Sequence, residues 1–278
     1  MTSTADSPET EWVAASTHRT PGISIQPLLQ RDGEGRSFEF NLVRFGGEDF
    51  WSPRHHHNFD QIRIALEGET NYGPHRKLRA RSVGYYPEAT WYGPLSVNEG
   101  TSLQAILQFD GASRCGYIPY DELDKATDKL REEGEFRKGY WHPHDGGKPV
   151  DGYQASWERA TGQKMVYPEQ RFDEAVYLAW DAFAWQPVPD SGVKHKHLGT
   201  FGEKMLRIEM LQVPAGDTHA YGDDNERNVL FVVDGGVEVN DAAVPQHRAA
   251  IAEEGQQLDI TGVGAVSELI LITLPQFG

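Results

Sequence analysis

Two stretches of short apolar runs, one from Ile23 to Ile118 and one from Lys204 onward, frame a middle segment of different texture. In the first stretch, Phe38-Glu39-Phe40-Asn41-Leu42-Val43 alternates for part of its length. Gln61-Ile62-Arg63-Ile64-Ala65-Leu66 is rich in β-branched residues and stops at Glu67-Gly68, a turn signal. Leu78 to Tyr86 and Ser102 to Phe109 have the same character. In the last stretch, Met205 to Leu211, Val229 to Val233, Ala249 to Ala252, Leu258 to Thr261 and Leu269 to Leu274 form a second set of short strands. Between the two sets, Tyr120 to Glu133 places Leu123, Thr127 and Leu130 on one helical stripe, with Asp121 as a candidate cap and Gly134 as a candidate stop. Gly152 to Thr161 is a second short helical candidate. The four tryptophans between residues 135 and 189 argue for a packed connector and not a floppy linker.

The expected architecture is therefore all-β: two barrels of similar size joined by a partly helical connector, with boundaries at 20–118, 119–190 and 191–278. The totals agree. A chain of 278 residues has room for two domains, and 38% hydrophobic residues supply their cores. The 29 Gly and 16 Pro suit a turn-rich β protein. The net charge of -16, from 42 acidic and 26 basic residues, repels phosphate backbones and anionic lipid surfaces, so neither nucleic acid nor a membrane is an expected partner. Cys115 is the single cysteine and cannot form an internal disulfide. Met1 to Glu11 is polar and acidic, and no run approaches the roughly 18 apolar residues of a membrane span. A cytoplasmic location is the expectation.

The densest chemical signal is Arg54-His55-His56-His57-Asn58-Phe59-Asp60-Gln61-Ile62-Arg63. On a strand, alternate residues share a face, so His55 and His57 point together into the barrel and His56 points away. Gln61 and Arg63 then share the face opposite Ile62 and Ile64. Two imidazoles on one rigid segment are half of a metal site, and a cysteine-poor donor set of imidazole and oxygen suits Fe(II), Mn(II), Ni(II) or Zn(II). An arginine beside such a site can hold a carboxylate through paired hydrogen bonds.

These residues resemble the first motif of the cupin superfamily: a His-x-His pair, three or four residues, usually a Glu, six residues, then Gly. Here His55-x-His57 is followed by three residues, Gln61, six residues and Gly68. The stretch is most similar to the first motif of gentisate-type ring-cleaving dioxygenases, which are bicupins that bind iron. The resemblance implies metal ligation by His55 and His57, with Gln61 at the usual Glu place, and a substrate-side role for Arg63. The second motif matches Gly84-Tyr85-Tyr86-Pro87-Glu88-Ala89-Thr90-Trp91-Tyr92-Gly93, where Thr90-Trp91 is again dioxygenase-like, which places Trp91 beside substrate. Tyr92 stands at the third-His place. Three outcomes stay open: Tyr92 binds the metal, Tyr92 contacts substrate or a ligand while Gln61 or another His completes the shell, or the metal is lost. The resemblance covers about residues 35 to 110. In the last stretch only His219 survives of the expected ligands, so that half reads as a degenerate cupin.

The resemblance implies a metal-dependent oxidoreductase, with Fe(II) favoured, a dioxygenase acting on a small aromatic or enol acid. The alternatives are a metal-dependent isomerase, lyase or hydrolase with Tyr92 as acid or base, and a non-enzymatic small-molecule-binding cupin. A homodimer is implied by the same family likeness. Plainer roles compete residue by residue. Gln61 can hydrogen-bond within the barrel, and Arg63 can pair with an acid. Tyr85, Tyr86, Trp91 and Tyr92 can be core. His142-Pro143-His144 falls in an expected loop, His195-Lys196-His197 sits on a candidate strand, and His75 lies in a turn. Cys115 has no neighbouring sequence support as a nucleophile.

Overall fold

The computed structural model describes residues 3–4, 11–14, 22–31, 38–47, 50–111, 113, 116–202, 205–223 and 225–274. Cys115 lies outside them. The chain is all-β, with two α-helices among the described residues, and it divides into two compact units: Thr10–Leu178, and Ala179–Gly278 together with Met1–Glu9.

In the first unit, a seven-stranded antiparallel sheet carries the central strands Ser82–Tyr86, Phe59–Glu67, Thr101–Asp110, Phe38–Gly46 and Ile23–Arg31, in that order. A smaller four-stranded sheet includes Glu69–Gly73 and Arg76–Arg79. The pairing register sorts side chains into transverse rows, because residues directly opposite in an antiparallel ladder share a face. Glu39, Gln108, Gln61 and Tyr86 form one row. Asn41, Ile106, Arg63 and Gly84 form the next on the same face. Val43, Gln104 and Ala65 follow. This face turns toward an apolar end built from Val43, Phe45, Phe50, Ala65, Leu78 and Leu95, so the hollow is polar at one end and apolar at the other. On the opposite face, Phe40, Leu107 and Ile62 are buried and purely apolar. Their alternation with the polar rows is the period-2 signal visible in the sequence.

Helices α1 (Tyr120–Glu133) and α2 (Gly152–Thr161) belong to this unit. Leu123, Ala126, Thr127 and Leu130 form the buried stripe of α1, and Thr127 Oγ1 meets Ser156 Oγ of α2 at 2.8 Å. Asp121 is not its cap: the cap position is Pro119, without a side-chain hydrogen bond, and Asp121 sits in the first turn, where its charge still favours the helix N-terminus. Gly134 ends the helix in an extended conformation because the strand Gly134–Arg137 starts there. In α2, Asp151 accepts hydrogen bonds from the backbone N–H groups of Tyr153 and Gln154, and Gly162 closes the helix in the left-handed conformation. Phe59, Tyr117, Leu123, Tyr153, Trp157 and Met165 form one cluster, which ties both helices to the opening of the Phe59 strand.

Three local expectations are corrected. Leu78 to Tyr86 is two strands, broken where Arg81 takes φ 64°. His142 lies in a strand, Tyr140–Pro143, of a three-stranded sheet rather than in a loop, because cross-strand pairing to Gly134–Arg137 outweighs the local Pro and Gly signals. The strand expected from Met205 begins at Leu206, since Met205 has φ 59°.

In the second unit, a nine-stranded sheet carries Leu206–Pro214, Leu258–Leu274, Arg227–Val239 and Ala249–Ala252 side by side. Its interior is filled by Leu211, Leu230, Val232, Ala250, Leu269 and Leu271, with further aliphatic residues around them.

Candidate functional site

His55 and His57 do not lie within a regular strand. Arg54 to Asn58 is an extended lead-in, and the strand begins at Phe59. His55 is held by a two-bond bridge to Tyr92: its N–H donates to the Tyr92 carbonyl (2.9 Å), and the Tyr92 N–H donates back (3.0 Å). Thus the two motifs seen in the sequence are clamped together by backbone, and alternation along the extended lead-in still sends His55 and His57 the same way. His56 goes elsewhere, stacked between the rings of Trp91 (3.9 Å) and Tyr167 (3.8 Å).

The His55 and His57 ring centres are 5.1 Å apart, and His55 lies 4.4 Å from the Tyr92 ring. His57 Nδ1 is 3.0 Å from Tyr92 Oη. His55 Nδ1 is 2.6 Å from the Pro53 carbonyl, so it donates there and any ligand role falls to Nε2. A metal-ligating histidine commonly has its other ring nitrogen fixed in this way. The His57 ring lies flat on Phe59 (4.5 Å) and meets the edge of Tyr153 from α2 (4.9 Å). Tyr153 Oη in turn donates to Asn58 Oδ1 (2.9 Å).

Gln61 and Arg63 share the inner face of the Phe59 strand and are 2% and 5% exposed. Gln61 Oε1 accepts from Arg63 Nε, which commits that oxygen to aiming the guanidinium. Arg63 Nη2 reaches Tyr92 Oη at 3.5 Å. The rings of Tyr86, Tyr92 and Phe45 surround the guanidinium at 5.0, 5.3 and 5.7 Å. Among the described residues no carboxylate forms an ion pair with Arg63, although Glu39 faces the same hollow. Gly84 leaves room for this packing, because a Cβ there would lie 2.7 Å from the Tyr86 ring and 3.3 Å from Tyr177. Burial pushes the Tyr86 hydroxyl above its ordinary pKa, with Arg63 opposing the shift.

Tyr92 is 4% exposed and lies within the hollow, whereas Trp91 is 41% exposed at the mouth. Two surface cavities flank the Trp91 ring. One, of about 390 Å³, reaches His55 past Arg54, Tyr140 and Tyr167. The other, of about 370 Å³, reaches Tyr92 past Tyr72 and Tyr177. Sequence reasoning missed Tyr153, Tyr167 and Tyr177, since their distance along the chain carries no signal of a meeting at this mouth.

The donor set admits a divalent ion. With metal–nitrogen bonds of about 2.1 Å at a right angle, two imidazole centres stand roughly 5 Å apart, and neighbouring ligand atoms stand roughly 3 Å apart. Both spacings occur here. No group of three His, Cys, Asp or Glu side chains is arranged to hold a metal among the described residues, so a third protein ligand would be the Tyr92 oxygen. In the second unit, burial and the neighbouring His195 lower the His219 pKa. There, Glu209 is taken by Tyr221 Oη (2.6 Å) and Arg207 Nε (2.9 Å).

No protein-family model matches the chain, and no curated protein matches it by sequence. Solved structures do. A candidate dioxygenase from Nostoc punctiforme superposes with a TM-score of 0.58 at 11% identity, covering 100% of this chain and 92% of its own. Streptomyces albus HEPD, with 2-hydroxyethylphosphonate and Fe(II) bound, gives 0.58 at 9% identity, covering 99% and 76%. The pirin YhhW of Escherichia coli, in complex with nickel(II), gives 0.52 at 10% identity, covering 100% of both chains. These are cupin-fold proteins, and the chain has the all-β, two-domain cupin architecture. At such identities the likeness defines the fold alone.

Proposed function

We propose that the first barrel holds one divalent transition metal, Fe(II) favoured over Mn(II), Ni(II) or Zn(II), and oxidises a small anionic substrate, an aromatic or enol acid. The observation that carries this reading is the convergence of His55, His57 and Tyr92 on a hollow whose buried cation, Arg63, has no carboxylate partner among the described residues. The fold neighbours that bind Fe(II) and nickel(II) support it. Such an ion, when bound, supplies a Lewis-acidic position with open coordination sites.

The chain's own residues do the rest. His55, fixed by the Pro53 carbonyl, presents Nε2, and His57 is aimed by Phe59 and Tyr153. Arg63, oriented by Gln61, receives the substrate carboxylate in a site of low dielectric, where a charge-assisted bond is strongest. Trp91 and His56 line the approach.

Elemental analysis of the purified protein beside its His57→Ala variant tests the metal. Near-stoichiometric metal in the first and its loss in the second is expected, and equal content in both would refute the assignment. Oxygen consumption with small aromatic acids tests the reaction. The 3.0 Å pair of His57 Nδ1 and Tyr92 Oη also favours a second reading, in which Tyr92 moves a proton in an isomerase, lyase or hydrolase reaction. Turnover under strict anaerobiosis selects that reading. Tight binding of an unchanged ligand without turnover selects a non-enzymatic cupin.

A further inference from the structure

The hollow contains a carboxylate that the reading above leaves without a role. Glu39 is 5% exposed and shares its transverse row with Gln108 and Gln61. Its Oε2 accepts from Tyr117 Oη at 2.5 Å and its Oε1 from the Tyr120 N–H at 3.1 Å. Tyr117 Oη also lies 3.3 Å from Gln108 Oε1. Burial and the Glu39 charge both push the Tyr117 hydroxyl well above its ordinary pKa, which keeps it a proton donor to Glu39. Asp110 Oδ1 fixes the Tyr117 backbone N–H at 2.6 Å.

Beside this group lies a small cleft of about 20 Å³. Its walls include Gln108, Tyr117 and Tyr120 on one side and His57, Phe59 and Tyr153 on the other. A site needs about 10–15 Å³ and two to four polar partners to hold one water. The space meets the volume condition, and His57, Gln108, Tyr117 and Tyr120 bring polar side chains to its walls. His57 therefore touches Tyr92 and also lines the same small space as Tyr117, the hydrogen-bond partner of Glu39.

We propose that Glu39 is a positioning carboxylate for His57, acting through Tyr117 and one buried water held among Tyr117, Gln108 and the imidazole. The inference rests on the metal reading of the first barrel. A carboxylate at the end of such a chain raises the basicity of a ligating imidazole and fixes its tautomer, and loss of such a partner typically weakens metal binding by about 10–100-fold. It also gives the connector a role, since Tyr120 opens α1 and Tyr153 belongs to α2, and both border the cleft.

The test is Mn(II) titration of metal-stripped protein by calorimetry, for wild type, Glu39→Gln and Tyr117→Phe. Each variant is expected to bind Mn(II) about 10–100-fold more weakly while its metal-free unfolding temperature stays near that of the wild type. Nitrogen NMR of the metal-free protein should show an altered His57 tautomer balance in both variants, which a merely structural defect elsewhere would not produce. A high-resolution crystal structure should place one water in the cleft. Wild-type affinity in both variants, or a dry cleft, would overturn the role of Glu39 alone. Failure of the wild type to bind Mn(II) would overturn the metal reading and this inference with it.

Discussion

The two units use equivalent sheets in opposite ways. In the first, successive rows on the inner face read Glu39, Gln108, Gln61 and then Asn41, Ile106, Arg63. In the second, the corresponding kind of row reads Glu209, Leu271, Leu230, Ala250, and the row before it Leu211, Leu269, Val232. The arginines differ as well. Arg207 is spent on its own chain, with two bonds to Glu226 (3.0 and 2.9 Å) and one to Glu209 (2.9 Å). Among the described residues Arg63 hydrogen-bonds to neutral partners and is flanked by three aromatic rings. Burying a cation without a direct ion pair costs several kcal/mol, and an anionic ligand at Arg63, as proposed, would offset part of that cost. In the second barrel aliphatic side chains fill the interior, and Arg207 is paired with Glu226 and Glu209.

That contrast is open to direct attack. Replacing His57 by Ala should abolish metal retention in the first barrel, whereas His219→Ala in the second should leave metal content unchanged; elemental analysis of both variants reads the difference. Truncating Leu230 to Ala should destabilise the protein by about 2–5 kcal/mol, the range for a fully buried leucine. Gln61→Ala should cost much less in the same urea titration, because it deletes a polar group beside a hollow.

Arg63→Met should weaken binding of small carboxylic acids by about 10–100-fold, matching a charge-assisted bond of about 1.5–3 kcal/mol. Thermal stability should hold or rise, since a desolvated charge has gone. An unchanged affinity, measured by calorimetry, would mean that Arg63 is a structural cation like Arg207.

The smallest effect concerns Asp60, on the opposite face of the Phe59 strand. Its pKa is pushed up to about 7, first by burial, against the hydrogen bond from the Glu88 N–H and the charge of Arg171 at 3.5 Å. A carboxyl raised in the folded state contributes stability below its unfolded value, near 4, and loses that contribution as pH rises through 7. Melting temperature should therefore carry a declining component between about pH 4 and pH 7 that Asp60→Asn removes. A parallel pH profile for the variant would exclude Asp60 as its source.

Much of this was readable from the chain. Period-2 runs marked the central strands, and the stripe of Leu123, Thr127 and Leu130 marked α1, because periodicity depends only on local geometry. The spacing of His55 and His57, with Tyr92 in the second motif, picked out three rings that lie side by side. Other features were illegible. His142 looked like a loop residue because the strand that pairs with it is a nonlocal fact. Nothing near Glu39 or Tyr153 in sequence announces His57.

By itself, then, the sequence determined which residues alternate, where most turns fall and which donors are available. Tertiary structure alone decided that Tyr92 meets His57 at 3.0 Å, that Gln61 is engaged by Arg63, and that α1 and α2 border the cleft beside Glu39. The division is physical. Backbone sterics and side-chain polarity act over a few residues and leave a periodic trace, whereas charge compensation and enclosure depend on which distant segments close around a group, and no local pattern encodes that.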